Sequence, residues 1–336
     1  MLKKTWVTAV ALGASLGLAV PALTASGAVA RSSVPRESGW QVSARVTGLG
    51  DQAYVWAVTA GGTDSEWAFG TDGNQDGAFA LERTGSTWSR VPFPGDGEVM
   101  VARASSASDV WAFTDFNVVH WNGRAWSVAG RLPVAVADAV VFGPADVWAF
   151  SNDGGIWRYN GRSWSQMPGS SGLASGSALS PTSVWAGGGS VIAHWNGSSW
   201  TRTSVAKLLP TWMPVYAVYA AAADSVYAIA DSTEGSGPDY ILHWNGQSWS
   251  KVGTVTDASD LPRGLTGDGS GGFWLVVYGV GVMHYSDGRL TAAKLPISAI
   301  DIKGVSRIPG TADILAAGVV AEKNATSSAA ILDYAP

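Results

Sequence analysis

The stretch Thr71-Asp-Gly-Asn-Gln-Asp-Gly-Ala-Phe79 places Asp72, Asn74 and Asp76 at alternate positions and Gly77 directly behind them. Three oxygen-bearing side chains spaced by two, ahead of a glycine that permits a sharp turn, are what one short segment needs to wrap a hard cation such as calcium. The helix-flanked version of such a loop closes with a carboxylate at its twelfth position, where this chain has Arg83, with Glu82 one place early. Asp72, Asn74 and Asp76 therefore read as a glycine-rich hairpin loop, with a weak calcium site completed by water as the alternative. Calcium is the one cofactor the sequence suggests.

Four histidines, His120, His194, His243 and His284, and a scatter of acids, Asp115, Asp153, Asp231, Glu234 and Asp239, are the other groups able to do chemistry. Paired carboxylates about 5–9 Å apart would serve glycoside hydrolysis, and acids alone would bind cations or accept hydrogen bonds from sugar hydroxyls. Cysteine is absent, which excludes thiol chemistry, thiolate metal sites and disulfides.

Residues 1–30 carry Lys3 and Lys4, then an apolar run, then Ala28-Val29-Ala30, the pattern of a signal peptide. Its loss would remove two lysines and no acid, taking the net charge from −5 to −7. A mildly acidic chain is a poor ligand for nucleic acid, which needs clustered Lys and Arg. No later apolar run approaches the about 20 residues of a membrane span. The expectation is a secreted, soluble monomer, with 31–38 as a linker.

The positions of the acids and histidines follow from a repeat. Asp109-Val-Trp-Ala-Phe113 recurs as Asp146-Val-Trp-Ala-Phe150 and Ser183-Val-Trp-Ala186. Trp67, Trp111, Trp148, Trp185, Tyr227, Trp274 and Leu315 take equivalent positions, spaced 44, 37, 37, 42, 47 and 41. Units of this length, made of short apolar runs between Gly, Asn, Asp and Ser, suit four strands and no helix.

We denote the strands a to d. Strand b carries Val-Trp-Ala, strand c carries His-Trp, strand d carries Ser-Trp or Ala-Trp, and Asn-Gly joins c to d. Asn-Gly reads as a two-residue hairpin, placing Trp121 and Trp126 on one sheet face and His120 opposite Ala125, His194 opposite Ser199 and His243 opposite Ser248.

Seven such units predict an all-β, seven-bladed β-propeller with four antiparallel strands per blade. The blades fall at about 46–92, 98–129, 134–168, 174–204, 214–253, 262–296 and 299–336, the last lacking a strand d. Gly39-Trp-Gln-Val-Ser43 matches the strand d pattern of Ser248-Trp-Ser-Lys-Val252, so residues 39–46 are expected to complete the last blade and close the ring.

Propeller blades pack face to face, and burying one Trp removes roughly 200 Å² of surface. The recurrent tryptophans are therefore expected in the core rather than on a ligand. The recurrent histidines are expected to make structural hydrogen bonds. Loops from b to c, which hold Asp72, Asp76, Asp115, Asp153, Asp231, Glu234 and Asp239, should form an acidic rim opposite c–d turns bearing Arg124, Arg162 and Arg289.

The run Asp146-Val-Trp-Ala-Phe-Ser-Asn-Asp-Gly-Gly-Ile-Trp-Arg-Tyr-Asn-Gly-Arg-Ser-Trp164 resembles tectonin-type propeller repeats and the Val-Trp-Ala with His-Trp-Asn-Gly arrays of secreted actinobacterial proteins. That resemblance implies recognition of carbohydrate or a cell-envelope component, and transfers no binding residue. The c–d turn is also reminiscent of the sialidase Asp-box but is shorter, and that motif is structural in its own family. A copper-radical oxidase propeller would need a Cys. The loop at 72–77 resembles integrin-type calcium loops, whose acid at the ninth position is replaced here by Ala80. An extracellular glycan or cell-surface component is thus the expected partner. A glycosidase or lyase acting from the rim, and a protein-interaction scaffold, are the alternatives.

Overall fold

The computed structural model describes residues 38–46, 54–72, 77–115, 117–231, 237–256, 264–277, 280–298, 300–321 and 327–336. Seven four-stranded antiparallel sheets follow one another in order. Blade 1 consists of Tyr54–Gly62, Ser65–Asp72, Gly77–Thr84 and Thr87–Val91. Blade 2 consists of Val101–Ser106, Asp109–Phe113, Asn117–Trp121 and Trp126–Arg131. Blades 3 to 6 repeat the pattern. In each, strand a is the inner edge, and the strand a of one blade packs beside the strand a of the next.

Blade 7 is closed by the far end of the chain. Ile300–Arg307, Ile314–Ala321 and Ser327–Ala335 are joined by Gly39–Val46, which pairs antiparallel with the last strand, Trp40 opposite Tyr334 and Val42 opposite Leu332. The expected closing strand thus has the expected boundaries.

The core is divided among the gaps between blades. Trp67 and Phe69 of blade 1 share a buried cluster with Val110, Ala112 and Trp126 of blade 2. Six further clusters fill the other gaps, including Phe79 and Val58 of blade 1 with Leu315 and Ile331 of blade 7. A strand d tryptophan packs onto the strand b tryptophan of the preceding blade: Trp126 on Trp67 at 5.0 Å and 90°, Trp200 on Trp148 at 6.2 Å, Trp40 on Trp274 at 5.5 Å. Offset and edge-on aromatic contacts of this kind add to the burial of apolar area.

The c–d turns differ from the two-residue expectation. Trp121 faces Trp126 directly, so four residues, Asn122 to Ala125, make the turn. Asn122 Oδ1 accepts hydrogen bonds from the main-chain N–H of Arg124 (3.0 Å) and Ala125 (3.1 Å), and Asn160, Asn196 and Asn245 repeat this. The shift is an even number of positions, so the paired tryptophans stay on one face as expected. The partners of the histidines change: His120 lies opposite Ser127, His194 opposite Thr201 and His243 opposite Ser250. Two-residue hairpins occur in blade 1, where Thr84 faces Thr87, and in blade 6, where Ser286 faces Arg289 and both Asp287 (φ 50°) and Gly288 (φ 74°) are left-handed.

Candidate functional site

Each strand c histidine packs against the aromatic ring of its neighbouring strand b, stacked in blades 2, 4 and 6 and tilted in blade 5. His284 stacks on Trp274 at 4.1 Å and 6°, His120 on Trp111 at 4.3 Å and His194 on Trp185 at 4.2 Å, and His243 lies against Tyr227 at 4.6 Å. The outer nitrogen of each ring then meets a polar group at or ahead of the start of strand b: His120 Nε2 is 2.7 Å from Oδ1 of Asp109, the first residue of its strand, and His284 Nε2 is 2.9 Å from Oδ2 of Asp268, on the turn that leads into strand b of blade 6. In blades 4 and 5 the partner is a hydroxyl, Ser183 or Ser225, each at 3.1 Å. Blade 3 substitutes Arg158, which grips Asp146 with two bonds of 2.7 and 2.9 Å while lying over Trp148.

In blades 2 and 3 the strand b indole N–H also donates to the same carboxylate, Trp111 to Asp109 (2.8 Å) and Trp148 to Asp146 (3.0 Å). The histidines of blades 2, 4, 5 and 6 and Arg158 of blade 3 therefore repeat one arrangement, and the hydrogen bonds expected of the histidines are made. Ser105, Asp109 and His120 meet, but the carboxylate sits between hydroxyl and imidazole. A nucleophilic triad needs the imidazole in the middle.

The electrostatics follow from these partners. Burial pushes the Asp109 carboxyl up, but bonds from His120, Ser105 and Trp111 outweigh it and hold it below its ordinary value. Asp268 is likewise lowered, by Ser270 and His284 against burial. Burial alone lowers His194, and lowers His243 against the opposing field of Asp224.

The acids expected on the b–c rim divide. Asp115 and Asp153 are exposed, in blades 2 and 3. Asp231 and Asp239 are not rim groups. They are only 8% and 1% exposed at the b–c end of blade 5, because that end packs under the inner strand, with Asp231 N–H bonded to the Pro214 carbonyl. Both bear on Tyr216, whose hydroxyl burial and these carboxylates push well above the ordinary tyrosine range. Asp72 makes an ion pair with Arg90 at 3.3 Å. Asn74, Asp76 and Glu234 lie outside the described residues. Among the described residues, no three His, Asp or Glu side chains are placed to share a metal ion, and no helix is long and apolar enough to cross a membrane.

Among the described residues, two features offer room for a ligand. One is a cavity of about 320 Å³ among the inner strands of blades 2 to 6, bordered by Arg103, Asp138, Ser177 and Thr266. The other is Trp212, 66% exposed on the segment joining blades 4 and 5. That segment is fixed to the b–c turn of blade 4: Ser190 Oγ donates to the Met213 carbonyl (3.0 Å), and the N–H groups of Val205 and Val215 donate to the carbonyls of Ser190 (3.0 Å) and Gly189 (2.7 Å). Met213 and Leu209 are buried on either side. Trp212 thus stands on the same rim as Asp153, held from below. Its sequence signal was its position: it belongs to none of the recurrent b, c or d registers.

No protein-family model matches the chain, and no curated protein matches it. Solved propellers do. The chain is similar to YCF48 bound to D1 peptide, with a TM-score of 0.60 at 13% identity, covering 90% of this chain and 98% of that one. It is similar to the WD40 β-propeller domain of Doa1, with a TM-score of 0.61 at 14% identity over 88% of this chain and 97% of that one. A third likeness is to the extracellular domain of the putative one-component system BT4673 from B. thetaiotaomicron, with a TM-score of 0.60 at 12% identity, over 88% of this chain and 40% of that one. Likeness at these identities establishes the propeller fold.

Proposed function

We propose that this chain is an exported recognition propeller that binds carbohydrate of the cell envelope on its b–c rim, without turnover. The observation that carries the reading is Trp212, two-thirds exposed on a segment whose flanks are buried and hydrogen-bonded. A large aromatic face held still presents contact area at little entropic cost. The C–H face of a sugar ring stacks on such a surface, and exposed carboxylates such as Asp115 and Asp153 accept hydrogen bonds from hydroxyls. The leader-like residues 1–30 and the tectonin-like repeats support export and sugar recognition. The acids that blade 5 does bring together, Asp231 and Asp239, are buried, which argues against a polymer-cleaving pair there.

A glycan and peptidoglycan binding screen tests this. Binding is expected, and Trp212→Ala is expected to weaken it by about 1–3 kcal/mol, roughly 5- to 150-fold. A blank screen overturns it. The protein-interaction reading is favoured by the likeness to a propeller in complex with a peptide, and a blank glycan screen with Trp212-dependent capture of one extracellular protein would select it. Turnover of a polysaccharide panel would select the enzymatic alternative.

A further inference from the structure

The cavity among blades 2 to 6 has an uneven hydrogen-bond inventory. Three of its polar side chains first serve the fold, each accepting an N–H from a neighbouring inner strand. Asp138 Oδ2 accepts from Gly176 (3.2 Å), Ser177 Oγ from Ala220 (3.0 Å) and Thr266 Oγ1 from Arg307 (3.0 Å). Asp138 Oδ1 also accepts from Ala139 N–H (2.8 Å) and from Arg103 (2.6 Å). Asp138 is thus largely spent as an acceptor. The donors are not: the hydroxyl protons of Ser177 and Thr266 have no acceptor among the described residues, and Arg103 spends one N–H on Asp138 and one on the Ala102 carbonyl (2.9 Å) out of its five.

The charge of Arg103 is offset by Asp138 beside it, so an added anion or cation would lack a counter-charge. What fits is a neutral molecule bearing several oxygen lone pairs. Its own protons can go to the backbone row that each inner edge strand turns toward the channel. A volume of about 320 Å³ stands at the small end of the roughly 300–1,000 Å³ of ligand pockets. We propose that this cavity binds a small neutral polyhydroxylated molecule of the size of one sugar ring, at a site separate from Trp212. The choice of a sugar among neutral polyols rests on the carbohydrate reading above; the existence of the site does not.

The test is thermal shift and calorimetry on the mature chain with glucose, galactose and N-acetylglucosamine, against glucuronate and glucosamine as charged controls. At least one neutral sugar is expected to bind saturably at millimolar concentration, distinct from the non-saturating stabilisation that any sugar gives by exclusion from the surface. Ala137 is exposed and borders the cavity, so Ala137→Trp should fill the space, abolish the saturable shift and leave the unliganded midpoint near wild type. Arg103→Lys keeps the charge facing Asp138 but loses the fork, and should weaken binding about tenfold; it replaces Ala137→Trp should that variant not fold.

No saturable response to any neutral sugar, an equal response to the charged controls, or a response that survives Ala137→Trp or is unweakened by Arg103→Lys overturns the proposal. Trp212→Ala separates the two sites. It should weaken glycan binding at the rim and leave the monosaccharide response intact, and loss of both in Trp212→Ala places the sugar at the rim and overturns the cavity.

Discussion

At the scale of single residues, the partner position of the stacked histidine varies from blade to blade, and in blade 6 it is filled by Asp268 from ahead of strand b while Gly272 takes the repeat position. Where the position is Asp, as at 109 and 268, the carboxyl pKa is lowered by the bonds it receives. A lowered carboxylate contributes stability that is full above its unfolded value, about 3.9, and is lost as pH falls through the folded value. Asp109→Asn should therefore cost about 1–3 kcal/mol at pH 7, with the gap to wild type closing in urea melts taken below about pH 4. Where the position is Ser, burial lowers His194 and His243. The unfolded chain then binds the proton more tightly, so stability should be full above about pH 6.5 and decline as pH drops from there toward the folded value. His194→Gln should shallow that decline; an unaltered slope would refute the assignment. That the histidines make structural bonds was legible in their shared register. Their partners were not, because a strand c residue has neighbours on both sides and the polar one stands at or ahead of the start of strand b, not on strand d.

At the scale of elements, the turns show why a sequence signal can name a place and miss a register. Asn-Gly marks every c–d turn from blade 2 to blade 5, but the Asn side chain takes over the hydrogen bonding and lengthens the loop to four residues. Gly123 then supplies the left-handed residue at φ 88°, and a Cβ there would sit 2.7 Å from that of Ser108. Asn122→Ala should lower stability by about 1 kcal/mol through two lost hydrogen bonds. Asp287→Asn in the two-residue turn of blade 6 should be near neutral, since Asn also tolerates the left-handed region. Chemical denaturation of both variants checks the contrast. The rim was half legible for a similar reason: exposed Asp115 and Asp153 obey the expectation that loop acids are solvated. Asp231 and Asp239 are buried by their packing around Tyr216, which no local spacing reveals.

At the scale of the whole molecule, the seam between blades 7 and 1 is fastened differently from the others. Arg83 joins Glu66 (2.8 Å) and Asp333 (2.7 Å) across it, all three side chains nearly buried. Trp88 N–H of blade 1 donates to Ser43 Oγ on the closing strand (3.0 Å), whereas the equivalent indole nitrogens of Trp126, Trp164, Trp200 and Trp249 make no hydrogen bond. Arg83→Met should cost about 3–5 kcal/mol by taking a buried cation from between two carboxylates, and Trp88→Phe about 1 kcal/mol, both read by denaturant melts. Deleting residues 31–46 should lower the melting midpoint by about 10 °C or more, and an unchanged midpoint would refute the closure. The seven units and the closing strand were legible because each repeat carries its own apolar periods; the clamp was not, because its members are hundreds of residues apart. That separation also bears on time. Trp40 meets Tyr334 only after nearly the whole chain exists, so the strand that is synthesised first is the last to find its place. Ring closure then carries the largest loop-closure entropy in the molecule, and until it happens the outer edge of the last blade stands open, an invitation to another chain's free strand.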